Sequence, residues 1–308
     1  MTDEMMMETM VNALEAGRKV IPYGEVATYI PELGKADKNA LGIAVRTEDG
    51  KLLTAGDCGT RFTLQSISKI VNLIVALERF GADRIFERVG MEPSGEAFNS
   101  IVELDLYSGK PYNPMINSGA IAVVDLLLNE CSFGELLALT RELMSDPEAD
   151  LDEAVYRSEM ANCSRNRAIG WLLKSKGILR NDVEEVLELY TAMCSVNATA
   201  ESLANLGYLL SKGGIDPATG RRTFSGETAR VVKTLMLTCG MYDGSGQFAV
   251  EVGFPTKSGV GGGLLSVVDR RMGIGIYGPS LDSKGNCVAG RTMLRYLSST
   301  LGLHIFNS

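Results

Sequence analysis

Histidine is nearly missing from this chain of 308 residues: the one copy, His304, lies four places from the C-terminus. A Ser-His-Asp or Cys-His hydrolase needs an imidazole at its centre, and metal sites usually recruit several. Both classes are disfavoured on that count. Acid–base work must then fall to lysine, tyrosine or carboxylates.

Paired cysteines are missing too. Six stand singly at 58, 131, 163, 194, 239 and 287, with no C-x-x-C, which is the pattern of reduced, mostly buried thiols rather than of disulfides or a zinc site. The opening MTDEMMMETM is acidic and lacks the basic start and apolar core of a secretory signal. No apolar run approaches the roughly 20 residues of a membrane span, and GAIAVVDLLL is both short and interrupted by Asp125. A net charge of −8 and a pI near 5.0 leave no basic footprint for nucleic acid. These absences point to the cytoplasm, where the sequons at Asn162 and Asn197 are chance matches.

What is present is ordinary core material, 45% hydrophobic and 22% charged residues, enough for a substantial interior. Ala40 to Asp57 reads as a hairpin with its turn at Asp49-Gly50. The stretch FTLQSISKIVNLIVALERFG, Phe62 to Gly81, opens with Ser66 and Lys69 and is then apolar nearly all round, as in a helix buried between layers. From there to about residue 240 the signal is segmented helix. Ala120 to Leu128 carries Asn117 or Ser118 at its cap, another helix starts at Ser164, and Asp182 opens a third with Glu185 in capping-box-like spacing. The C-terminal part returns to short strands in TKSGVGGGLLSVVD and RMGIGIYG, then an amphipathic helix in NCVAGRTMLRYLSSTLG. Two early and three late strands imply one antiparallel sheet built from both chain ends and flanked by helices, with an inserted helical lobe: a mixed α/β class. The expected layout is a single domain over 1–308, its sheet lobe at about 20–70 and 240–308 and its helical lobe at about 71–239.

Three short motifs carry chemistry. Ser66 and Lys69 sit one helical turn apart on one face at a helix start, where free N–H groups give a positive potential. A serine hydroxyl is inert until a base takes its proton, and a desolvated lysine can do so; a capping serine beside a snorkelling lysine explains the pair equally well. KSGVGGG, Lys257 to Gly263, is a glycine-rich turn into a strand whose bare backbone could line half of an oxyanion hole. Lys257 itself reads as a strand-edge residue, a charge near the site, or half of an ion pair. SRN, Ser164 to Asn166, is unremarkable alone. The order S-x-x-K, S-x-N, K-[ST]-G is the signature of serine β-lactamases and penicillin-binding proteins.

Longer phrases narrow this. YIPEL (Tyr29 to Leu33), FTLQSISK, AFNS (Ala97 to Ser100), NPMINSGAI, Ser158-Glu159 with SRN, CGMYDGSGQFA and TKSGVGGG together resemble the bacterial-type serine-dependent glutaminases over nearly the whole chain. One departure is Ala97, where the family phrase has proline before Phe98. The resemblance implies a β-lactamase/transpeptidase-like fold, a small-molecule substrate, L-glutamine, no cofactor, no nucleic-acid or membrane partner, and a homo-oligomer, commonly a tetramer. It implies Ser66 as nucleophile, Lys69 as base and Tyr242 as proton relay. Tyr29, Asn117, Glu159, Asn166 and Tyr190 would bind glutamine, and the N–H groups of Ser66 and Val260 would hold the oxyanion.

The residue types suit that ligand, since an α-ammonium wants a carboxylate and an α-carboxylate wants amide or hydroxyl donors. On pattern alone each has another reading: Asn117 as a cap, Glu159 as a surface charge, Tyr190 as a core residue, Tyr242 as a turn flank. A β-lactamase or D,D-peptidase-type acyl transferase, and a non-catalytic ligand sensor on the same fold, are the alternative functions.

Overall fold

The computed structural model describes residues 2–100, 109–217 and 219–307. Helix α1 (Asp3–Arg18) is followed by strands β1 (Gly42–Arg46), β2 (Leu52–Gly56) and β3 (Phe62–Thr63) and by helix α2 (Ser68–Arg88). Then come α3 (Asn117–Leu127), α4 (Phe133–Met144), α5 (Glu153–Ala161), α6 (Ser164–Ser175) and α7 (Val183–Cys194). Strand β4 (Asn197–Ala198) leads to α8 (Ala200–Ser211), α9 (Gly226–Cys239) and α10 (Ser245–Glu251). Strands β5 (Thr256–Ser258), β6 (Gly263–Val268) and β7 (Met272–Tyr277) and helix α11 (Val288–Leu301) complete the chain.

The main sheet has the order β2-β1-β7-β6-β5, and every neighbour is antiparallel. The two chain ends meet where β1 pairs with β7, Ile43 opposite Ile276 and Ala44 opposite Gly275. Alternation then divides the faces. Ile43, Val45, Ile274 and Ile276 point into a core shared with Met6 and Met10 of α1 and Met293, Leu294 and Leu297 of α11.

The opposite face is shaped by glycine. A Cβ on Gly275 would lie 1.9 Å from the Ala200 carbonyl oxygen, and one on Gly273 would lie 2.0 Å from the Tyr208 amide nitrogen. Gly207 meets the strand from the helix side, its Cβ position 2.5 Å from the Ser266 carbonyl oxygen. The backbone of α8 therefore rests directly on the strands. The alternation in MGIGIY marks one face for side chains and the other for a helix backbone.

Helix α1 was not anticipated. Its methionines hid the period, yet Thr2 caps it and Met6, Met10 and Ala13 are buried. Helix α2 bends at Gly81, where φ is 75°, and its first half is the buried span expected from its composition. Helix α3 begins at Asn117 without a side-chain cap, so Asn117 and Ser118 are not capping residues. Asp125, which interrupts the apolar run, is 1% exposed and accepts hydrogen bonds from Arg88 and from the amides of Arg180 and Asn181. Strand β3 leaves the main sheet and pairs with β4, Phe62 opposite Ala198. That detour positions the next residues, Gln65 to Ile67.

Candidate active site

Ser66 stands in a single 3-10 turn, Gln65–Ile67, between β3 and α2. The residue before it, Gln65, has φ 47°, a left-handed conformation unusual for a side chain of this size. Its carboxamide is tied down: Nε2 donates to Glu159 Oε2 at 3.2 Å and to Thr63 Oγ1 at 3.4 Å. The turn that presents Ser66 is thus locked from its own side chain. Tyr242 is a second non-glycine residue at positive φ, 55°, and strained residues of this kind collect where function holds them in place.

Lys69 lies three residues beyond Ser66, in the first turn of α2, and is 2% exposed. Its Nζ donates to Ser66 Oγ at 3.1 Å, Asn117 Oδ1 at 2.8 Å and the Met115 carbonyl at 3.2 Å. Among the described residues no carboxylate pairs with it. Burial brings its pKa down to about 8, against the opposing pull of Cys194 and Glu159. A neutral amine with a lone pair facing a hydroxyl is therefore accessible near neutral pH.

One small cavity is lined by Tyr29, Gln65, Ser66, Asn117, Glu159 and Asn166, with Tyr190, Cys194 and Val260. Seven of the nine expected site residues thus share a single cavity, though four different helices, α3, α5, α6 and α7, supply four of them. Lys69 and Tyr242 stand behind it, Lys69 bonded to Ser66 as above. The Tyr242 hydroxyl also interacts with the Ser66 side chain and donates to the Ser258 carbonyl at 3.2 Å.

Asn117 links the parts. Its Oδ1 accepts from Lys69 and from the Tyr190 hydroxyl at 3.3 Å, and its Nδ2 donates to Asn166 Oδ1 at 3.0 Å. One N–H of the carboxamide is left over. Glu159 is 7% exposed, and burial lifts its pKa to about 7, with the Gln65 hydrogen bond and the Lys69 charge pulling it back. Tyr190 is 3% exposed and burial holds its hydroxyl protonated, so it is a core tyrosine and a cavity residue at once. Tyr29 is 56% exposed as a residue, yet burial of its hydroxyl end pushes that group well above its ordinary pKa.

The glycines of the run pack against the segment that carries the serine. A Cβ on Gly259 would lie 2.6 Å from the Leu64 carbonyl oxygen, on Gly261 2.4 Å from the Thr63 oxygen, and on Gly263 2.5 Å from the Phe62 ring. These glycines face the strand and turn that carry Ser66, not an open cleft. They bring Val260 beside the serine. Among the described residues the amides of Ser66 and Val260 make no hydrogen bond, so both remain available to an oxyanion.

Other expectations change as well. Ser164 is exposed and does not line the cavity, so Asn166 alone represents the S-x-N stretch. A second S-x-N, Ser195 to Asn197, lies outside, where Asn197 accepts from Arg61. Lys257 forms no ion pair among the described residues; it is wholly buried, and its Nζ donates to the Ser258 carbonyl at 2.6 Å. Gln65 and Cys194 were missed, because a backbone angle and a lining thiol leave no mark in a sequence pattern. Among the described residues no group of three or more His, Cys, Asp or Glu is placed to hold a metal.

A family model described as Glutaminase matches residues 24–306. The chain belongs to the glutaminase family. It is 46% identical to Glutaminase 2 of Clostridium perfringens (strain 13 / Type A) over 305 residues, 98% of this chain and all of that protein. A probable glutaminase from Bacillus subtilis complexed with 6-diazo-5-oxo-L-norleucine superposes with a TM-score of 0.90 at 35% identity, covering 99% of each chain. The covalent complex of the Bacillus subtilis glutaminase YbgJ with 5-oxo-L-norleucine, formed by reaction with that diazo compound, superposes at 0.87 and 36% identity over 97% of this chain and 99% of that one. The glutaminase fold is β-lactamase-like, and the activity of the family is that of an amidohydrolase converting glutamine to glutamate.

Proposed function

We propose that this glutaminase hydrolyses L-glutamine through a glutamyl ester on Ser66. The observation that carries the reading is Lys69 Nζ, buried and without a carboxylate, 3.1 Å from Ser66 Oγ at a cavity that also holds Glu159.

Lys69 takes the Ser66 proton as Oγ attacks the side-chain carboxamide carbon. The carbonyl oxygen gathers negative charge and is met by the N–H groups of Ser66 and Val260. Tyr242 relays a proton to the departing nitrogen, and ammonia leaves. Water then attacks the ester, its proton passes to Lys69, and glutamate departs as Ser66 recovers its hydrogen. Glu159 receives the α-ammonium, while Asn117, Asn166, Tyr190 and Tyr29 supply donors for the α-carboxylate. No step calls for a cofactor.

The setting we propose is cytoplasmic, supported by six free cysteines of which five are buried. The assembly we propose is a homotetramer, as in the resemblance; light scattering on the purified chain of 33.1 kDa measures it directly.

Ammonia release from glutamine tests the mechanism, with wild type set against Ser66→Ala and Lys69→Ala. Each variant is expected to lose several orders of magnitude in turnover. Incubation with 6-diazo-5-oxo-L-norleucine should add mass at Ser66 in the wild type alone. Wild-type turnover in Ser66→Ala would discard the ester.

A further inference from the structure

We infer that Lys257 is a positioning residue for Tyr242 and, through it, for proton transfer at Ser66; the inference rests on the Ser66 reading above. Lys257 is in the middle of β5, with 0% exposure. Its amine donates to the Ser258 carbonyl at 2.6 Å and to the Gly240 carbonyl at 3.4 Å. The Tyr242 hydroxyl donates to that same Ser258 oxygen at 3.2 Å, and the Lys257 nitrogen sits 4.6 Å from the centre of the Tyr242 ring. One carbonyl with two lone pairs thus receives both groups, and the amine also backs the face of the ring.

Neither carbonyl needs the lysine for its own satisfaction. Gly240 oxygen already accepts from the Ser258 amide at 3.0 Å, and Ser258 oxygen has the tyrosine. A buried amine with no carboxylate costs stability, and a chain gains nothing in folding by keeping it there. What the amine does fix is direction. With the Ser258 oxygen held from one side by Lys257, the Tyr242 hydroxyl has one defined place for its hydrogen, and its remaining lone pairs face Ser66. The geometry has been prepared at some cost: Tyr242 sits at φ 55°, and a Cβ on Gly240 would lie 1.8 Å from the Thr256 oxygen, so only glycine lets α9 end close enough to β5.

The test is a double-mutant cycle on the whole enzyme with Lys257→Met and Tyr242→Phe. Methionine matches the lysine stem in length and shape and carries no buried amine, so the urea midpoint of Lys257→Met should equal or exceed that of wild type. Its kcat for glutamine should fall ten- to a hundredfold with KM changed less than threefold, because the defect lies in proton transfer rather than in binding. In the Tyr242→Phe background the same replacement should cost less than threefold, since the hydroxyl it orients is gone. Lys257→Gln, which keeps a donor, should recover part of kcat. A kcat for Lys257→Met within twofold of wild type overturns the inference, as does a loss that persists in full without the Tyr242 hydroxyl, or a lowered urea midpoint that accounts for the lost activity. Failure of the wild type to turn over glutamine would instead strike at the Ser66 reading.

Discussion

Glu159, on the cavity wall with Ser66, and Lys69, bonded to the Ser66 hydroxyl, are buried ionisable groups of opposite sign, and each pulls on the other's proton without an ion pair between them. Gln65 takes the carboxylate and Asn117 takes the amine. The proposed mechanism needs Lys69 neutral and Glu159 charged. Their pKa values of about 8 and about 7 make kcat/KM climb with pH through that window in the free enzyme. A profile already flat from pH 6 to 9 would contradict the assigned roles.

Glu159 also links pH to stability. Its pKa is raised from 4.5 to about 7 in the folded chain, so the folded state holds its proton where the unfolded state has lost it. Stability contributed by that proton falls as pH rises from about 4.5 to 7, and above 7 the fold carries a desolvated charge. Glu159→Gln removes the charge. It should stabilise the chain at pH 8 by on the order of 2 kcal/mol in urea denaturation, with little effect at pH 4, while KM for glutamine rises steeply. Equal effects at the two pH values would refute this account.

How much of this was readable in advance depends on the kind of signal. A three-residue spacing is enough to stack Ser66 on Lys69, so their proximity needs no tertiary information, though the spacing alone left a cap and a snorkelling lysine as an equal reading. The sheet of both chain ends was readable from short apolar runs bounded by turn residues. Glu159, Asn166 and Tyr190 were different. Helical spacing makes Tyr190 a core residue, which it is; only the family resemblance made it a candidate for the site, and only the structure shows its hydroxyl meeting Asn117. The glycines of KSGVGGG were visible as a run, but whether they faced a substrate or a neighbouring strand depends on packing. Lys257 was undecidable for a like reason: a pattern cannot distinguish an amine awaiting a carboxylate from one bonded to a carbonyl.

Asp125 carries a structural prediction away from the reacting atoms. It satisfies Arg88 and two loop amides at once, with Asn181 Nδ2 also within 3.1 Å. Asp125→Ala would leave a half-buried guanidinium and two amides without their acceptor, a loss of about 3–5 kcal/mol. Thermal unfolding should show it. The fraction that remains folded should turn over glutamine at the wild-type rate, since none of these groups lines the cavity with Ser66.

Gly261 tests whether the loop carrying Val260 is set by contact with β3. An alanine methyl there would fall 2.4 Å from the Thr63 carbonyl oxygen, closer than any real Cβ contact, and backbone on both sides leaves no flexible atom to yield. The loop must back away, and the Val260 amide moves with it. A donor displaced by even a fraction of an ångström meets the oxyanion poorly, so kcat for Gly261→Ala should fall about a hundredfold, the scale on which one oxyanion donor acts. KM should move little, because the head-group residues stand on other elements. Gly246→Ala is the matched control: nothing lies within 4 Å of its Cβ position, and alanine favours the helix it occupies. If Gly261→Ala kept wild-type kcat, the Val260 amide would not be the second donor.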